Sequence, residues 1–284
     1  MKGQDTPHGR RRSFLTCKAL ANDCRIEAII SDFEPLSCHV GHKKRLPVIS
    51  IDNQHCLTNT NVEYPRQYAR DATAAKLVTR MMVPRANAYL VTTFFTPEVT
   101  RKNTWLFPPL LREQILKATP RDGERVLVYV TSPAPDLAQV LSSVRCQFTA
   151  YGFGREGQDG NIIFKRPSTE EFLVDLINAK AIVANAGFSL LTEALHLGKP
   201  YLAVPVKRQF EQILNAFWLD KMGYGACWQE LNKERVEAFL YNLCHYRERL
   251  AGYPRRGNAA LLNKIDDVIE SFESGRKPLE REVR

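Results

Sequence analysis

From Arg125 onward the chain repeats one pattern: a short apolar run that stops in polar residues, then an amphipathic stretch of helical period. The runs fall at 126–130, 146–151, 161–164, 181–184, 201–204 and 226–228, with helical stretches between most of them, notably at 170–179, 188–197 and 210–222. Apolar strands alternating with helices of this length bury themselves in a parallel sheet covered on both faces, so the pattern predicts an α/β fold. Two earlier runs, 27–30 and 47–51, stop at Ser31-Asp32-Phe33-Glu34-Pro35 and at Asp52-Asn53-Gln54-His55. Such polar strand ends are where open α/β sheets place ligands. A helix over 68–83 and a strand over 88–93 complete the first half.

The 284 residues, 44% hydrophobic and 25% charged, suffice for two globular domains. The Pro-rich, charged segment from Trp105 to Arg121 reads as the linker between them. The expected organisation is a basic, poorly ordered start over 1–25, a first domain over 26–115 and a second over 116–284. The second is expected to end in two amphipathic helices interrupted near Gly252-Tyr253-Pro254. No apolar run approaches the roughly 20 residues of a membrane-spanning helix, so a soluble or membrane-surface protein is expected. Lys and Arg outnumber Asp and Glu by 40 to 31. That excess suits a phosphorylated ligand or an anionic membrane surface, although a solvated basic face accounts for it equally well. No basic-aromatic stripe accompanies the charge, and a nucleic-acid partner is not expected. The seven cysteines form no CxxC pair and the six histidines do not cluster with them, which fits reduced thiols and no bound metal. Arg11-Arg12-Ser13-Phe14-Leu15 resembles a twin-arginine export core. Lys18, Asp23, Arg25 and Glu27 interrupt the apolar stretch such a signal needs.

Two glycine motifs look alike and read differently. Gly152-Phe153-Gly154-Arg155-Glu156-Gly157 matches a dinucleotide fingerprint, but Gln158-Asp159-Gly160 leads into a strand where the fingerprint needs a helix. It reads as a strand connection. At Ala184-Asn185-Ala186-Gly187-Phe188-Ser189 a strand turns directly into a helix, which Gly198 caps and Pro200 stops. There a glycine lets backbone N–H groups approach a phosphate, the helix dipole favours its charge, and Ser189 adds a hydroxyl. Glu193, four residues beyond Ser189, shares its helix face and could accept both hydroxyls of a ribose. An ordinary turn followed by a surface glutamate would read the same in isolation. The next helix adds Glu211, Gln212 and Asn215 near its start, polar groups suited to sugar hydroxyls, while Ile213, Leu214, Phe217 and Trp218 form its buried stripe.

The run Asn185-Ala-Gly-Phe-Ser-Leu-Leu-Thr-Glu-Ala-Leu-His-Leu-Gly-Lys-Pro200, with Pro205, Glu211-Gln-Ile-Leu-Asn215 and Gly223-Tyr-Gly225, resembles the donor-binding signature of GT-B glycosyltransferases. Relatives of that type include the peptidoglycan N-acetylglucosaminyltransferase and the UDP-glucuronosyltransferases. A prokaryotic UDP-glucuronosyltransferase-like set also carries the Ser31–Pro35 and Ile51–His55 strand ends. The resemblance spans Ile26 to Phe272. It implies two facing Rossmann-like domains with parallel sheets, the first on the acceptor side and the second binding the nucleotide sugar. It further implies that Gly187, Phe188 and Ser189 hold the diphosphate, with Thr131 and Ser132 approaching it and Asn215 nearby. Glu193 would take the ribose, Glu211 and Gln212 the transferred sugar, and the backbone of Phe164-Lys165-Arg166 the uracil edge.

Members of that group begin with a strand and a glycine-rich, His-containing loop that have no counterpart here. The first domain is therefore expected to be incomplete relative to its relatives. Asp32, Asp52 and His55 are left as the acid/base candidates, with Glu34 beside them; a histidine suits general-base work, and a structural role is its other reading. The expected reaction is metal-independent transfer of a hexose from a UDP-sugar to an acceptor hydroxyl, with no cofactor. By analogy the acceptor is lipid-linked and the protein cytoplasmic, peripheral on the inner face of the membrane. The alternative is a non-catalytic UDP-sugar-binding subunit that depends on a partner chain or a second copy.

Overall fold

Residues 26–274, apart from Ser132 and Pro135, are described by a computed structural model of the chain. The twin-arginine-like motif and the expected basic start lie outside the described residues. The chain divides into two units, one drawn from Met1–Leu110 and Asn258–Arg284, the other Leu111–Gly257.

The first unit is built on four parallel strands. In chain order its elements are β1 (Ile29–Ser31), α1 (Pro35–Lys44), β2 (Val48–Asp52), α2 (Cys56–Asn59), β3 (Thr60–Asn61), α3 (Ala69–Met82), β4 (Ala88–Thr92), β5 (Glu98–Val99) and β6 (Thr104–Phe107). The sheet order is β1-β2-β4-β6, and β3 pairs antiparallel with β5 as a separate ribbon. Neighbouring residues of a strand face opposite sides, and both sides of β2 are buried. Val48 packs with Cys38 and Val83, whereas Ile49 packs with Ala88, Leu90 and Val268. Val268 belongs to the C-terminal helix Ala259–Glu273, whose apolar stripe also brings Ile265, Ile269 and Phe272 to the same core. This contact groups that helix with the first unit, whereas the sequence reading placed it with the second. Trp105, read as linker, lies in β6, where it pairs with Leu90 of β4.

The second unit comprises α4 (Glu113–Leu116), β7 (Arg125–Tyr129), α5 (Leu137–Ser142), β8 (Gln147–Tyr151), β9 (Gly157–Asp159), β10 (Ile162–Lys165), α6 (Thr169–Ile177), β11 (Ala181–Ala184), α7 (Phe188–His196), β12 (Tyr201–Ala203), α8 (Phe210–Met222), β13 (Gly225–Cys227), α9 (Lys233–Tyr241) and α10 (Leu243–Ala251). Its strands run in the order β13-β12-β11-β7-β8-β10-β9, all parallel except β9 against β10. Val126, Val128 and Val183 meet Val236, Phe239 and Leu243 of α9 and α10 in one core. Leu127 and Ile182, register partners of opposite parity, are equally buried. The two expected terminal helices are three, because the first is divided at Asn242.

The fingerprint-like glycines serve the β8–β9–β10 connection, as read from the sequence. Gly152 has φ +92°, and a Cβ there would lie 1.8 Å from the Val130 carbonyl oxygen. Gly157 opens β9, which folds back on β10 through Gly160. No helix follows the last glycine, so the segment cannot cradle a pyrophosphate on a helix dipole.

Candidate functional site

In the second sheet the chain moves outward from β7 in both directions, through β8 on one side and β11 on the other. The carboxyl ends of β7 and β11 therefore frame a topological switch point, where α/β sheets open a crevice. Asn185, at the end of β11, fastens this region together. Its Oδ1 accepts hydrogen bonds from the Thr131 backbone N at 2.9 Å and the Thr131 hydroxyl at 3.1 Å. Its Nδ2 donates to the Val204 carbonyl at 2.9 Å, and its own carbonyl accepts from the Tyr201 hydroxyl at 2.6 Å. One side chain thus ties the ends of β7, β11 and β12. Thr131 is held at the switch point by these bonds; Ser132 lies outside the described residues.

Gly187 is the N-cap of α7, with φ −66° and no side-chain cap. Nothing lies within 4 Å of the position a Cβ would occupy. Neither backbone conformation nor packing demands glycine here, so its effect is to leave the helix N-terminus open to a ligand. Phe188 is half-buried and Ser189 exposed in the first turn. Asn215, 3% exposed, donates to the Ala186 carbonyl at 3.0 Å. It therefore pins the turn from beneath.

Glu193 is 7% exposed on the second turn of α7. Its two oxygens accept from Arg112, Nε to Oε1 at 2.7 Å and Nη2 to Oε2 at 2.8 Å. The pairing raises the guanidinium pKa above its ordinary value, first through the hydrogen bond and then, against the opposing effect of burial, through the carboxylate charge. On α8, Glu211 is half-buried in the first turn. Gln212 accepts from the Val206 backbone N at 3.0 Å and donates to the Gln209 side chain at 2.7 Å. These bonds brace a loop in which Arg208 takes the left-handed conformation, φ 68°, that non-glycine residues seldom adopt.

The stretch Phe164-Lys165-Arg166 has its side chains committed elsewhere. Phe164 is buried edge-on to Phe153, with the Arg155 guanidinium 3.7 Å from its ring centroid. Lys165 Nζ lies 2.7 Å from the Asp175 carboxylate, which also accepts from Tyr151 at 2.6 Å. Arg166 pairs with Glu156 at 3.2 Å. Any ligand contact here falls to the backbone just past β10.

The acid/base candidates of the first unit form two kinds of group. Asp52 is 5% and His55 1% exposed. His55 Nδ1 lies 2.7 and 2.9 Å from the Asp52 oxygens, its backbone N donates to Oδ1 at 2.8 Å, and Ser50 donates its hydroxyl to Oδ2. A carboxylate only accepts, so Nδ1 carries the proton in this pair. The imidazole is packed 4.7 Å from the Tyr89 ring and 6.2 Å from Phe33. Asp32, by contrast, is exposed at the end of β1. Its carboxyl pKa is raised, chiefly by partial desolvation and next by the Asp52 charge. Glu34 is engaged as the N-cap of α1, accepting from the Leu36 and Ser37 backbone N atoms at 2.9 and 2.7 Å.

Two residues of this arrangement escaped sequence reading. Arg112 lies in the Pro-rich, charged linker stretch, where no local signal marks one arginine from another. Asn185 was visible as the last residue before the turn, yet only the strand register shows that it reaches both neighbouring strands. Among the described residues no group of three His, Cys, Asp or Glu side chains could hold a metal ion, and no helix is long and apolar enough to cross a membrane.

The family model described as Glycosyl transferase family 1 matches residues 4–244. No curated protein sequence matches the chain. Among solved structures, a UDP-glucosyltransferase from Polygonum tinctorium is similar, with TM-score 0.67 and 14% identity over 94% of this chain and 81% of that one. UGT2 of Phytolacca americana, complexed with UDP-2-fluoro-glucose and pterostilbene, gives TM-score 0.66 and 14% identity over 93% and 79%. LpCGTa in complex with UDP gives 0.65 and 15% over 96% and 84%. At these identities the likeness carries the fold.

Proposed function

This chain belongs to glycosyl transferase family 1 and has the GT-B fold, and from that premise we propose that it transfers a hexose from a UDP-sugar to an acceptor hydroxyl without a metal ion. The observation that carries the proposal is the open N-terminus of α7 at the switch point of the second sheet, with a buried carboxylate one turn behind it. The complexes of the two neighbours with UDP and UDP-2-fluoro-glucose support the same choice of donor.

In this reading the second unit binds the donor. Gly187, Phe188 and Ser189 present N–H and hydroxyl donors to the diphosphate, with Thr131 and Ser132 beside them. Those donors stabilise the charge that builds on the leaving diphosphate, which is the principal electrostatic demand of the reaction. Glu193 accepts from the ribose hydroxyls, the backbone at Phe164-Lys165-Arg166 meets the uracil edge, and Glu211 and Gln212 contact the hexose. Asn215 acts indirectly, by fixing the Ala186–Gly187 turn.

The first unit serves the acceptor. Asp32 takes the proton from the acceptor hydroxyl, since it is exposed and its raised pKa makes it a better base than an ordinary carboxylate. That rise comes first from partial desolvation and then from the nearby Asp52 charge, which His55 holds in place by hydrogen bonds. Peripheral contact with an anionic membrane, and with it a lipid-linked acceptor, is favoured by α3. There Ala74, Leu77, Val78 and Met81 share one exposed face at i, i+3, i+4 and i+7 spacing, flanked by exposed Arg70, Arg80 and Arg85.

Calorimetry with UDP and ADP tests the donor assignment. UDP is expected to bind more tightly than ADP and to be unaffected by a chelator. Glu193→Ala should weaken UDP by roughly 1.5–3 kcal/mol, the range for a hydrogen bond to a charged group. Equal affinity for both nucleotides would remove the uridine assignment, and binding that needs added magnesium or manganese would remove metal independence.

A further inference from the structure

Glu193 has two roles to reconcile, one toward the ribose and one toward Arg112. We infer that Arg112 and the donor ribose compete for the same pair of Glu193 oxygens, so that Arg112 sets donor affinity and helps expel the nucleotide product. The inference rests on the ribose role proposed above for Glu193.

The geometry is that of a two-pronged donor on a two-pronged acceptor. Nε and Nη2 of Arg112 reach Oε1 and Oε2 at 2.7 and 2.8 Å, one parallel bond to each oxygen. The vicinal hydroxyls of a ribose are also a two-pronged donor and call for the same two oxygens. The Glu193 side chain is only 9% exposed, which leaves little room for a second donor pair to approach from another side. The Arg112 side chain is 39% exposed, so its guanidinium can return to water when it lets go. With its guanidinium partly in water, Arg112 holds the buried carboxylate less firmly than a fully buried partner would, which keeps the exchange reversible.

The consequence is a carboxylate with a partner at each stage of a catalytic cycle. Arg112 neutralises the buried charge before the ribose arrives, gives way to it, and returns as the nucleotide departs. Because Arg112 stabilises the form without nucleotide, it lowers apparent donor affinity, and removing it should strengthen binding. Its place in the chain adds to the interest: it lies two residues beyond Leu110, where the chain passes from one unit to the other.

The experiment is calorimetry on the full chain, wild type and variants, with UDP and with 2′,3′-dideoxyuridine diphosphate. Arg112→Ala and Arg112→Gln are both used, and circular dichroism checks that each is folded. UDP is expected to bind about threefold to tenfold more tightly to both variants, while the dideoxy compound, lacking the competing hydroxyls, binds all three proteins alike. UDP affinity that is unchanged, or that falls as it does in Glu193→Ala, would overturn the competition and make Arg112 a support for the carboxylate. UDP binding to none of the proteins would sink the donor assignment itself.

Discussion

Lys199 follows the glycine that ends α7 and is 2% exposed, an unusual position for an ammonium group. It donates to the Arg121 carbonyl, and burial pushes its pKa down from 10.5 to about 8, with Asp122 partly opposing and Arg247 adding to the shift. Between those two values the unfolded chain holds a proton that the folded chain has released, so stability rises with pH. For a shift of this size the rise from pH 8 to pH 9.5 is about 1.5 kcal/mol. The upper limit of the window matters because Tyr201 acts in the opposite sense. Its burial raises the phenol pKa, so it contributes stability that is lost as pH climbs above 10. Replacing Lys199 with Met keeps the volume and removes the titrating group. Urea denaturation of wild type and Lys199→Met at pH 7, 8 and 9.5 isolates the effect, since all other groups cancel in the difference. The variant is expected to be more stable than wild type at pH 7, with the gap closing as pH rises. Parallel pH profiles for the two proteins would refute the reasoning and show that the ammonium is stabilised where it sits.

Asn185→Ala removes three side-chain hydrogen bonds, but exposed Thr131 can turn to water, so the expected loss is about 1–2 kcal/mol in denaturation, with weaker UDP binding. Unchanged UDP affinity would separate Asn185 from the donor site. Asp32→Asn should lower turnover by roughly 100-fold or more in a UDP-release assay while leaving UDP affinity intact, and retained turnover would move the base elsewhere. Leu77→Glu with Met81→Glu should abolish sedimentation with vesicles containing phosphatidylglycerol, and wild type should not sediment with phosphatidylcholine alone. Equal sedimentation of wild type with both vesicles would remove the electrostatic part of the α3 proposal.

What could be read in advance divides along physical lines. The second sheet was legible because its central strands β7, β8, β11 and β12 are buried on both faces, and such strands leave continuous apolar runs bounded by turns. The Asn185–Gly187 turn was legible because it joins three plain signals: a strand that stops, a residue without a side chain, and a helix that starts. β6 was harder to read, because its four residues sit between a turn and Pro108-Pro109, and a short strand beside prolines looks like a linker. The C-terminal helix was read correctly as amphipathic, yet its apolar stripe does not say which core receives it. Val268 meets Ile49, more than two hundred positions earlier, and only the folded chain reveals that pairing.

The same limit explains the candidate site. Sequence spacing placed Ser189 and Glu193 on one helix face, since residues four apart are neighbours on any helix. It could not place Arg112, which is 81 positions from Glu193 and meets it through a route no local rule describes. Nor could it separate Asp52 and His55 from Asp32, since all three end strands in similar polar sequence. Burial separates them: an Asp52–His55 pair sealed at 5% and 1% exposure cannot itself meet an acceptor without rearrangement, whereas exposed Asp32 can. In the proposed mechanism, Asp32 is thus the one accessible carboxyl, set beside a buried Asp52–His55 pair, and the three are not interchangeable candidates. That ordering makes Asp32→Asn, and not His55→Ala, the decisive substitution. Loss of His55 would leave Asp52 as a buried charge short of a partner and would damage folding before it informed on catalysis.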